Sequence, residues 1–347
     1  MSEFSSHLIA WQEMYGRHNL PWQNTTDPYL IYVSEVMLQQ SQVATVMSYY
    51  GKFIERFPDI KTLASATQEE VLRYWSGLGY YSRARNLHQS AVIIVNTHQG
   101  IFPQDFSAMQ LLPGIGRSTA AAVASLAFNQ NQTILDGNVK RVLARHFLIE
   151  GWTGLSKVEK QLWLIAETLL PKKNIAIYTQ GLMDLGATLC TRAKPKCGVC
   201  PLQVSCGAYQ QKRVHELPTP KPHKIIPKKQ TAMLILLHNN KVMLEKRPPT
   251  GIWGGLWCFP EIPVNENATV YCAQHLGMKV ESLTNMLPLD HVFTHFQLRI
   301  YPRLLQTFTQ ISDCESERVW ITFNDALISA IPTPVRKLLN LCQQQKY

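Results

Sequence analysis

Long apolar runs and a secretory leader are both missing from this sequence. A membrane-spanning helix needs about 20 consecutive apolar residues, and no stretch of the chain reaches that length. The first ten residues include Glu3 and several polar side chains, unlike the charged and then apolar pattern of a signal peptide. We therefore expect a cytoplasmic protein without a membrane partner.

Acidic residues are few, and neither internal repeats nor low-complexity tracts are present. Asp and Glu number 24 against 34 Lys and Arg, which gives a net charge of +10. A basic protein attracts polyanions, of which nucleic acid is the commonest, although charge alone is a weak indication. The 347 residues, 46% of them hydrophobic, are enough for two domains.

The character of the chain changes near residue 212. Before it, apolar residues recur at helical spacings in three segments, Tyr29–Tyr50, Ala84–Val95 and Val139–Phe147. Residues 212–229 are rich in proline and lysine and are typical of a semi-extended linker. Short β-like runs follow and predict an α+β domain over 230–347; they are Ala232–Leu237, Val242–Glu245 and Leu298–Leu305.

Four of the eight cysteines lie within 17 residues, in the spacing C-x6-C-x2-C-x5-C; they are Cys190, Cys197, Cys200 and Cys206. Soft thiolates at close spacing suit zinc or an iron–sulfur cluster. A zinc ribbon usually has two C-x2-C pairs, so the single pair favours a 4Fe-4S cluster, without excluding zinc on the residues alone. The other four are expected to pack as small apolar side chains; they are Cys258, Cys272, Cys314 and Cys342.

The same loop carries cations at Arg192, Lys194 and Lys196. Cations on a cross-linked loop can contact DNA phosphates, and the alternative is a structural clip with a solvated basic surface. A second candidate phosphate site is the turn Leu112-Pro113-Gly114-Ile115-Gly116, which precedes an alanine-rich helix. Its glycines allow a tight turn whose helix N-terminus can bind a phosphate, and the alternative is an ordinary corner between helices.

Two carboxylates are candidates for acid–base chemistry. Glu35 lies among Val33, Val36, Met37 and Leu38, and a carboxyl group in apolar surroundings tends to keep its proton. The pattern alone nevertheless favours a surface glutamate on an amphipathic helix. Asp136 precedes a helix, where it could cap the N-terminus, face a ligand, or do both. Cleavage of a glycosidic bond requires such a pair, one carboxylic acid and one carboxylate.

The hairpin turn, an aspartate twenty residues after its second glycine, and the cysteine loop together resemble the helix-hairpin-helix base-excision DNA glycosylases. Four further runs are similar to the adenine-specific MutY branch; they are Leu20-Pro21-Trp22, Ser34-Glu35-Val36-Met37-Leu38-Gln39-Gln40, Gly77-Leu78-Gly79-Tyr80-Tyr81 and Leu135-Asp136-Gly137-Asn138-Val139. This resemblance covers essentially the whole chain. It implies a mainly α N-terminal part with a 4Fe-4S loop and an α+β, Nudix-like C-terminal domain.

The resemblance implies specific roles for the residues of these runs. Glu35 would protonate a flipped adenine, and Asp136, positioned by Asn138, would stabilise the sugar cation. Trp22 would line the adenine pocket, while Gln40 and Tyr80 would wedge into the base stack. Further DNA contacts would come from Gln39, Gly114, Gly116 and Ser118. The four clustered cysteines would hold the 4Fe-4S cluster.

One position predicts the type of reaction. Lyase-active relatives such as endonuclease III carry a lysine where this chain has Ser118, and serine cannot form a Schiff base. We therefore expect a monofunctional glycosylase. The alternatives are a bifunctional glycosylase and abasic-site lyase of the endonuclease III type, or a non-catalytic iron–sulfur DNA-binding protein.

The C-terminal part resembles the Nudix fold around Gly251–Pro260 but lacks the acidic helix that holds metal in Nudix hydrolases. It is therefore expected to recognise a lesion rather than hydrolyse a nucleotide. The family's Phe-Ser-His motif, which reads 8-oxoguanine, corresponds here to Phe293-Thr294-His295. The alternative is that Phe293 and Phe296 belong to the core and His295 is a satisfied polar residue.

These expectations combine into one hypothesis. The resemblance implies a bacterial, nucleoid-associated monomer that would remove adenine mispaired with 8-oxoguanine or guanine in duplex DNA. The predicted domains are a catalytic region over 1–211, a linker over 212–229 and a Nudix-like domain over 230–347. Within the catalytic region we expect a six-helix subdomain at about 25–130 and a cluster subdomain formed by 1–24 and 131–211.

Overall fold

The computed structural model describes residues 2–222, 225–308 and 317–344. The chain divides into two compact units. Unit 1 contains the described residues up to 65 together with 86–222, and unit 2 contains 66–85 together with the described residues from 225 onward. The segment 66–85 therefore groups with the C-terminal unit, whereas the sequence placed it inside the six-helix subdomain. The predicted domain boundaries at 211 and 230 stay a prediction.

Helices occur in both units and dominate unit 1. In chain order over the described residues, the helices are α1 (Glu3–Tyr15), α2 (Pro28–Leu38), α3 (Val43–Arg56), α4 (Ile60–Ser65), α5 (Gln68–Trp75), α6 (Ser82–Thr97), α7 (Phe106–Gln110), α8 (Arg117–Phe128), α9 (Gly137–His146), α10 (Ser156–Leu169), α11 (Ile175–Thr188), α12 (Gly207–Gln210), α13 (Ala268–His275), α14 (Phe323–Ile328) and α15 (Thr333–Gln344). A short 3₁₀ helix spans Cys197–Val199. Within the described residues, none of the helices is both long and apolar enough to cross a membrane.

The predicted helical segment Tyr29–Tyr50 is interrupted, which corrects that expectation. Helix α2 begins after Asp27, whose carboxylate accepts a hydrogen bond from the Tyr29 amide at 2.8 Å, with Pro28 in the first turn. It ends at Leu38, and Gln40 has a left-handed φ of +57°. Helical periodicity continues across this break and therefore did not reveal it. The loop between α2 and α3 is thereby free to line a cavity.

Unit 1 has a core formed chiefly by α1, α9, α10 and α11, with Leu8, Leu143 and Leu162 fully buried. Helix α8 is buried through small residues, since Ala120, Ala121, Ala122 and Ala124 are all fully buried. Small side chains allow neighbouring helices to approach closely. Ser118 at the start of α8 and Asp136 at the start of α9 line one cavity of the unit.

Unit 2 is built on an eight-stranded, mostly antiparallel sheet. Its strands are β1 (Lys228–His238), β2 (Lys241–Lys246), β3 (Trp257–Cys258), β4 (Glu261–Ile262), β5 (Val280–Asn285), β6 (Leu289–Val292), β7 (Gln297–Thr307) and β8 (Arg318–Thr322). The central pair, β1 and β7, is parallel with Ala232 opposite Tyr301. The main strand order is β3-β2-β1-β7-β5, while β4, β6 and β8 pair with β1, β7 and β2. The three predicted β-like runs lie in β1, β2 and β7, which confirms them.

Two sequence interpretations outside the sites have clear outcomes. The first part of the predicted linker is not extended, since Val214 and Leu217 are buried against Ala208 in a small cluster. Three of the four scattered cysteines are buried as predicted, namely Cys258, Cys272 and Cys342. The fourth, Cys314, lies outside the described residues.

Candidate active site

Glu35 and Asp136 line the same cavity of unit 1, although a hundred residues separate them in sequence. The cavity has a volume of about 890 Å³. Its wall also contains Arg192 of the cysteine loop and five further residues that the sequence predicted as site residues; these are Trp22, Gln39, Gln40, Ser118 and Asn138. Helices α2, α8 and α9 and the cysteine loop therefore all contribute to one site.

Glu35 lies near the C-terminal end of α2, a helix in which most residues are buried. Its neighbours Ser34, Val36 and Met37 are all buried. Burial, and to a lesser extent the nearby Asp136 carboxylate, raise the pKa of Glu35 to about 7. A carboxyl group with this pKa holds a proton for much of the time at neutral pH and can act as a general acid.

Asp136 is the N-cap of α9, as the sequence predicted, and it also lines the cavity, so its role toward a ligand stays a prediction. Its Oδ1 accepts a hydrogen bond from the Val139 amide at 2.7 Å. Burial raises the pKa of Asp136, but backbone N–H groups of Val139 and Asn138 and the cations Arg141 and Lys140 act in the opposite direction. These donors stabilise the anion. When the pair shares one proton, Glu35 is therefore the better place for it.

Arg141 connects Asn138 to the cysteine loop, and the sequence reasoning missed it. Its Nη2 donates to Asn138 Oδ1 at 2.8 Å and to the Gly186 carbonyl at 2.6 Å. Its Nε donates to the Cys190 carbonyl at 2.7 Å. The available signal was a cation three residues after Asn138, on the same helical face.

A smaller cavity of about 400 Å³ adjoins the same residues. Glu35, Trp22, Arg17 and Gln180 line both cavities, and the smaller one also has Gln12 and Gln23 in its wall. The Trp22 ring is 7% exposed and contacts the Tyr50 ring edge-on at 5.4 Å. This geometry provides a flat apolar surface beside several amide groups.

Asp184 fixes two of these wall residues and was also missed from the sequence. Its carboxylate is fully buried and accepts hydrogen bonds from the Arg17 amide at 2.9 Å and Nε at 2.7 Å. It also accepts one from Gln180 Nε2 at 2.9 Å. A buried aspartate on an apolar helix such as α11 is a recognisable signal, because an unpaired buried charge is costly.

The hairpin turn has the geometry that its glycines predict. Gly114 has a left-handed φ of +76°, and a Cβ there would lie 2.9 Å from the Asn86 side chain. Gly116 caps α8 with an exposed, extended backbone. The Ser118 hydroxyl accepts a hydrogen bond from the Leu135 amide at 3.2 Å, which ties α8 to the residue before Asp136. Gln39 Nε2 donates to Thr119 Oγ1 at 3.1 Å on the same helix.

All four clustered cysteines line one small cavity of about 30 Å³. Arg145 points into it, with Nη1 3.4 Å from Cys190 Sγ. Among the described residues, no three His, Cys, Asp or Glu side chains converge in a way that would hold a single metal ion. Burial raises the pKa of the Cys200 thiol to about 12, so thiolate there needs a strong electrophilic partner.

The remaining predicted residues lie in unit 2, around a cavity of about 660 Å³. Phe293, Thr294 and His295 line it together with Tyr80, Trp253 and His291. The Phe293 ring lies 4.3 Å from Phe296, 4.5 Å from His291 and 5.5 Å from Trp253. Thr294 and His295 are exposed. Gln40 and Tyr80, which the resemblance assigned to one lesion, line different cavities in different units.

Two family models match different parts of the chain. Residues 33–168 match a family described as HhH-GPD superfamily base excision DNA repair protein, and residues 231–341 match a NUDIX domain. The chain is 40% identical over 97% of its length to the adenine DNA glycosylase of Buchnera aphidicola subsp. Acyrthosiphon pisum, covering 96% of that protein. It is 31% identical to the adenine DNA glycosylase of Rattus norvegicus, covering all of this chain and 79% of the relative.

Among solved structures, a thermostable thymine-DNA glycosylase superposes with a TM-score of 0.54 at 31% identity. It covers 60% of this chain and 95% of that protein. An endonuclease III–DNA complex superposes with a TM-score of 0.51 at 22% identity, which shows a shared fold only. The helical fold expected from the hairpin and cysteine loop is thereby confirmed.

Proposed function

The chain belongs to the adenine DNA glycosylase family, and we propose that it hydrolyses the N-glycosidic bond of adenine mispaired with 8-oxoguanine or guanine in duplex DNA. One observation carries this proposal. Glu35 and Asp136 share a cavity, and only Asp136 is surrounded by hydrogen-bond donors and cations that favour its charged form. A proton donor and a stabilising anion are what the reaction needs.

In the proposed mechanism, Glu35 protonates a nitrogen of the five-membered ring of an extruded adenine. The bond between C1′ and the base then breaks, and its electron pair leaves with the base. Asp136 stabilises the cation that remains on the sugar, and Asn138, held by Arg141, fixes its position. Water adds to C1′ and loses a proton, which leaves free adenine and an abasic site.

The smaller cavity is suited to hold the extruded base. Trp22 offers a flat surface for stacking, while Gln180 and Arg17 offer hydrogen-bonding groups that Asp184 keeps in place. Since Glu35 lines this cavity as well as the larger one, its proton is accessible to a base held there. The larger cavity would then receive the sugar and its flanking phosphates.

Duplex DNA would be held through the exposed backbone at Gly114 and Gly116 and through cations of the cysteine loop. The turn presents the N-terminus of α8, which favours a phosphate. Arg192 lines the Glu35–Asp136 cavity, and Lys194 and Lys196 are exposed. Gln40 and Tyr80 are exposed residues with left-handed φ, as expected of side chains that wedge between bases.

A 4Fe-4S cluster is the centre that we propose for the cysteine cavity. Four soft thiols line it, and the spacing of the cysteines, with a single C-x2-C pair, favours such a cluster. Cys190, Cys197, Cys200 and Cys206 would be the ligands. The cluster would cross-link the loop that carries the four cysteines and would take no part in bond cleavage. Arg145 would donate to the Cys190 sulfur, and Arg141 holds the Cys190 carbonyl to the helix that Asp136 caps.

Ser118 supports a glycosylase without lyase activity. Its hydroxyl accepts a hydrogen bond from Leu135, and it carries no amine that could attack the sugar. Borohydride should therefore not trap this enzyme on abasic DNA. A trapped covalent complex would instead favour the bifunctional alternative.

The experiment that tests the proposed function is a single-turnover assay of free adenine release. Duplexes with adenine opposite 8-oxoguanine, guanine and thymine should be compared at the same enzyme concentration. We expect release from the first two, faster opposite 8-oxoguanine, and little from the normal pair. Absence of release from all three duplexes would leave only a DNA-binding role.

A further inference from the structure

We propose that Glu69, Ser76 and Arg336 are positioning residues that hold Tyr80 at the cavity of the Phe293-Thr294-His295 loop. The preference for 8-oxoguanine would then depend on side chains that act through the position of Tyr80. The inference rests on the proposed function. It begins from the grouping of 66–85 with the sheet-containing unit, a segment that the sequence assigned to the catalytic region.

The first attachment is at Glu69 on α5. One carboxylate oxygen accepts a hydrogen bond from Trp257 Nε1 at 2.7 Å, and the other pairs with Lys246 Nζ at 2.7 Å. Trp257 is 8% exposed and belongs to β3, so its indole is a fixed donor. An exposed ion pair contributes little by itself, but the tryptophan hydrogen bond adds direction.

The second attachment is at Ser76, directly before the turn that carries Tyr80. The Ser76 hydroxyl donates to the Ile331 carbonyl at 2.7 Å and accepts from Arg336 Nη2 at 3.0 Å. Arg336 also donates to the Leu327 carbonyl. Ser76 thereby donates one hydrogen bond to the C-terminal end of unit 2 and accepts another from it.

Beyond these attachments the backbone is held in an unfavourable conformation. Gly77, Gly79 and Tyr80 have φ values of +101°, +75° and +47°, and only the glycines adopt such values easily. Trp75 Nε1 and Arg83 Nη2 both donate to the Gly79 carbonyl, at 3.1 and 3.2 Å. A left-handed tyrosine persists where surrounding contacts over-determine it.

The turn that carries Tyr80 and the Phe293-Thr294-His295 loop line the same cavity. Tyr80 is 40% exposed, with the Arg83 guanidinium 5.4 Å from its ring. It lines the 660 Å³ cavity with Phe293, Thr294 and His295. A third contact lies after the turn, where Arg85 Nη1 donates a hydrogen bond to the Gly254 carbonyl at 2.8 Å. Loosening Glu69 or Ser76 should therefore let Tyr80 move relative to that loop.

The first test measures single-turnover rates on 8-oxoguanine·adenine and guanine·adenine duplexes. Glu69→Ala should lower the ratio of these two rates by about fivefold or more. The matched control is Glu70→Ala, which removes the same group from the next position of α5. Glu69→Gln, which keeps an acceptor for Trp257, should lie between them and serves if Glu69→Ala folds poorly. Equal ratios in the parent and all three variants would overturn the proposal.

A mutant cycle separates positioning from general destabilisation. In a Tyr80→Leu background, Glu69→Ala should lower the rate ratio no further, because its effect passes through Tyr80. A loss of the same size in both backgrounds would contradict the inference. The same cycle with Arg336→Leu should give the same non-additive result.

Amide hydrogen exchange without DNA tests the positioning independently of catalysis. Exchange at residues 77–81 should be faster in Glu69→Ala and Arg336→Leu than in the parent or Glu70→Ala. Unchanged exchange in the first two variants would overturn the proposal even if adenine is released. Absence of adenine release with faster exchange would count against the proposed function and leave the attachment standing.

Discussion

Glu35 and Asp136 have different surroundings although they line the same cavity. The residues on either side of Glu35 in α2 are buried, and burial is the largest cause of the raised pKa of Glu35. Asp136 caps a helix and receives a backbone hydrogen bond at 2.7 Å. Burial raises the pKa of both carboxyl groups, but only at Asp136 do backbone hydrogen bonds and nearby cations oppose it, which favours Glu35 as the acid and Asp136 as the anion.

The pH dependence of adenine release follows from this difference. The rate requires protonated Glu35, whose pKa is about 7. Single-turnover release should therefore fall about tenfold per pH unit above neutrality. It should also fall at low pH as Asp136 gains a proton. A rate that stays constant from pH 6 to pH 9 would contradict Glu35 as the proton donor.

The same raised pKa has a consequence for stability. The folded pKa of Glu35, about 7, exceeds the ordinary value of 4.5. Its contribution to the free energy of unfolding is thus fully present below pH 4.5 and is lost as pH rises through 7. Glu35→Gln should raise the free energy of unfolding at pH 8 by up to about 3 kcal/mol. Denaturant unfolding at pH 8 and pH 5 checks this, and a larger gain at pH 5 would contradict it.

The hydroxyl group of Thr294 allows a test of the proposed role of the Phe293-Thr294-His295 loop in recognising 8-oxoguanine. It is exposed, and its Oγ1 lies 3.4 Å from His295 Nδ1. Loss of a hydrogen bond costs about 1 kcal/mol, so Thr294→Ala should reduce the preference for 8-oxoguanine over guanine roughly fivefold. Thr294→Ser should retain it. Equal preference in the alanine variant and the parent would exclude this role.

At the scale of secondary structure elements, the sequence predicted the hairpin, the cysteine loop and the three main β-runs. These depend on local signals, such as the glycine that must adopt φ +76° at Gly114. The periodicity of Tyr29–Tyr50 did not predict the break after α2, because both helices continue the same apolar spacing. The pattern also favoured an exposed Glu35, since it cannot show that α2 is surrounded on all sides. Arg141 and Asp184 act through long-range contacts that only the fold reveals.

The cysteine loop allows a prediction about one element. Cys200→Ser should lower the bound iron and the visible absorbance of the purified protein, because one of four ligands is lost. It should weaken DNA binding about tenfold, which corresponds to roughly 1.4 kcal/mol of contacts. Val204→Ala, at an 85% exposed position of the same loop, is the control. Iron content unchanged in Cys200→Ser would contradict the cluster assignment.

At the scale of the whole molecule, relatives at 40% and 31% identity confirm the family that the motifs indicated. The division into units was harder to predict. Residues 66–85 have helical character like the rest of the N-terminal half, and composition changes only near 212. Their attachment to the sheet-containing unit depends on pairs distant in sequence, such as Glu69 with Trp257. Such pairs leave no local pattern.

The central claim is that Glu35 supplies the proton that releases adenine, and its most direct measurement compares the parent with Glu35→Gln on an 8-oxoguanine·adenine duplex. Free adenine and duplex affinity should be measured on the same preparations. The account predicts adenine release by the parent, a loss of at least about a hundredfold in the variant, and unchanged affinity for DNA. Release at the parental rate by Glu35→Gln would contradict it.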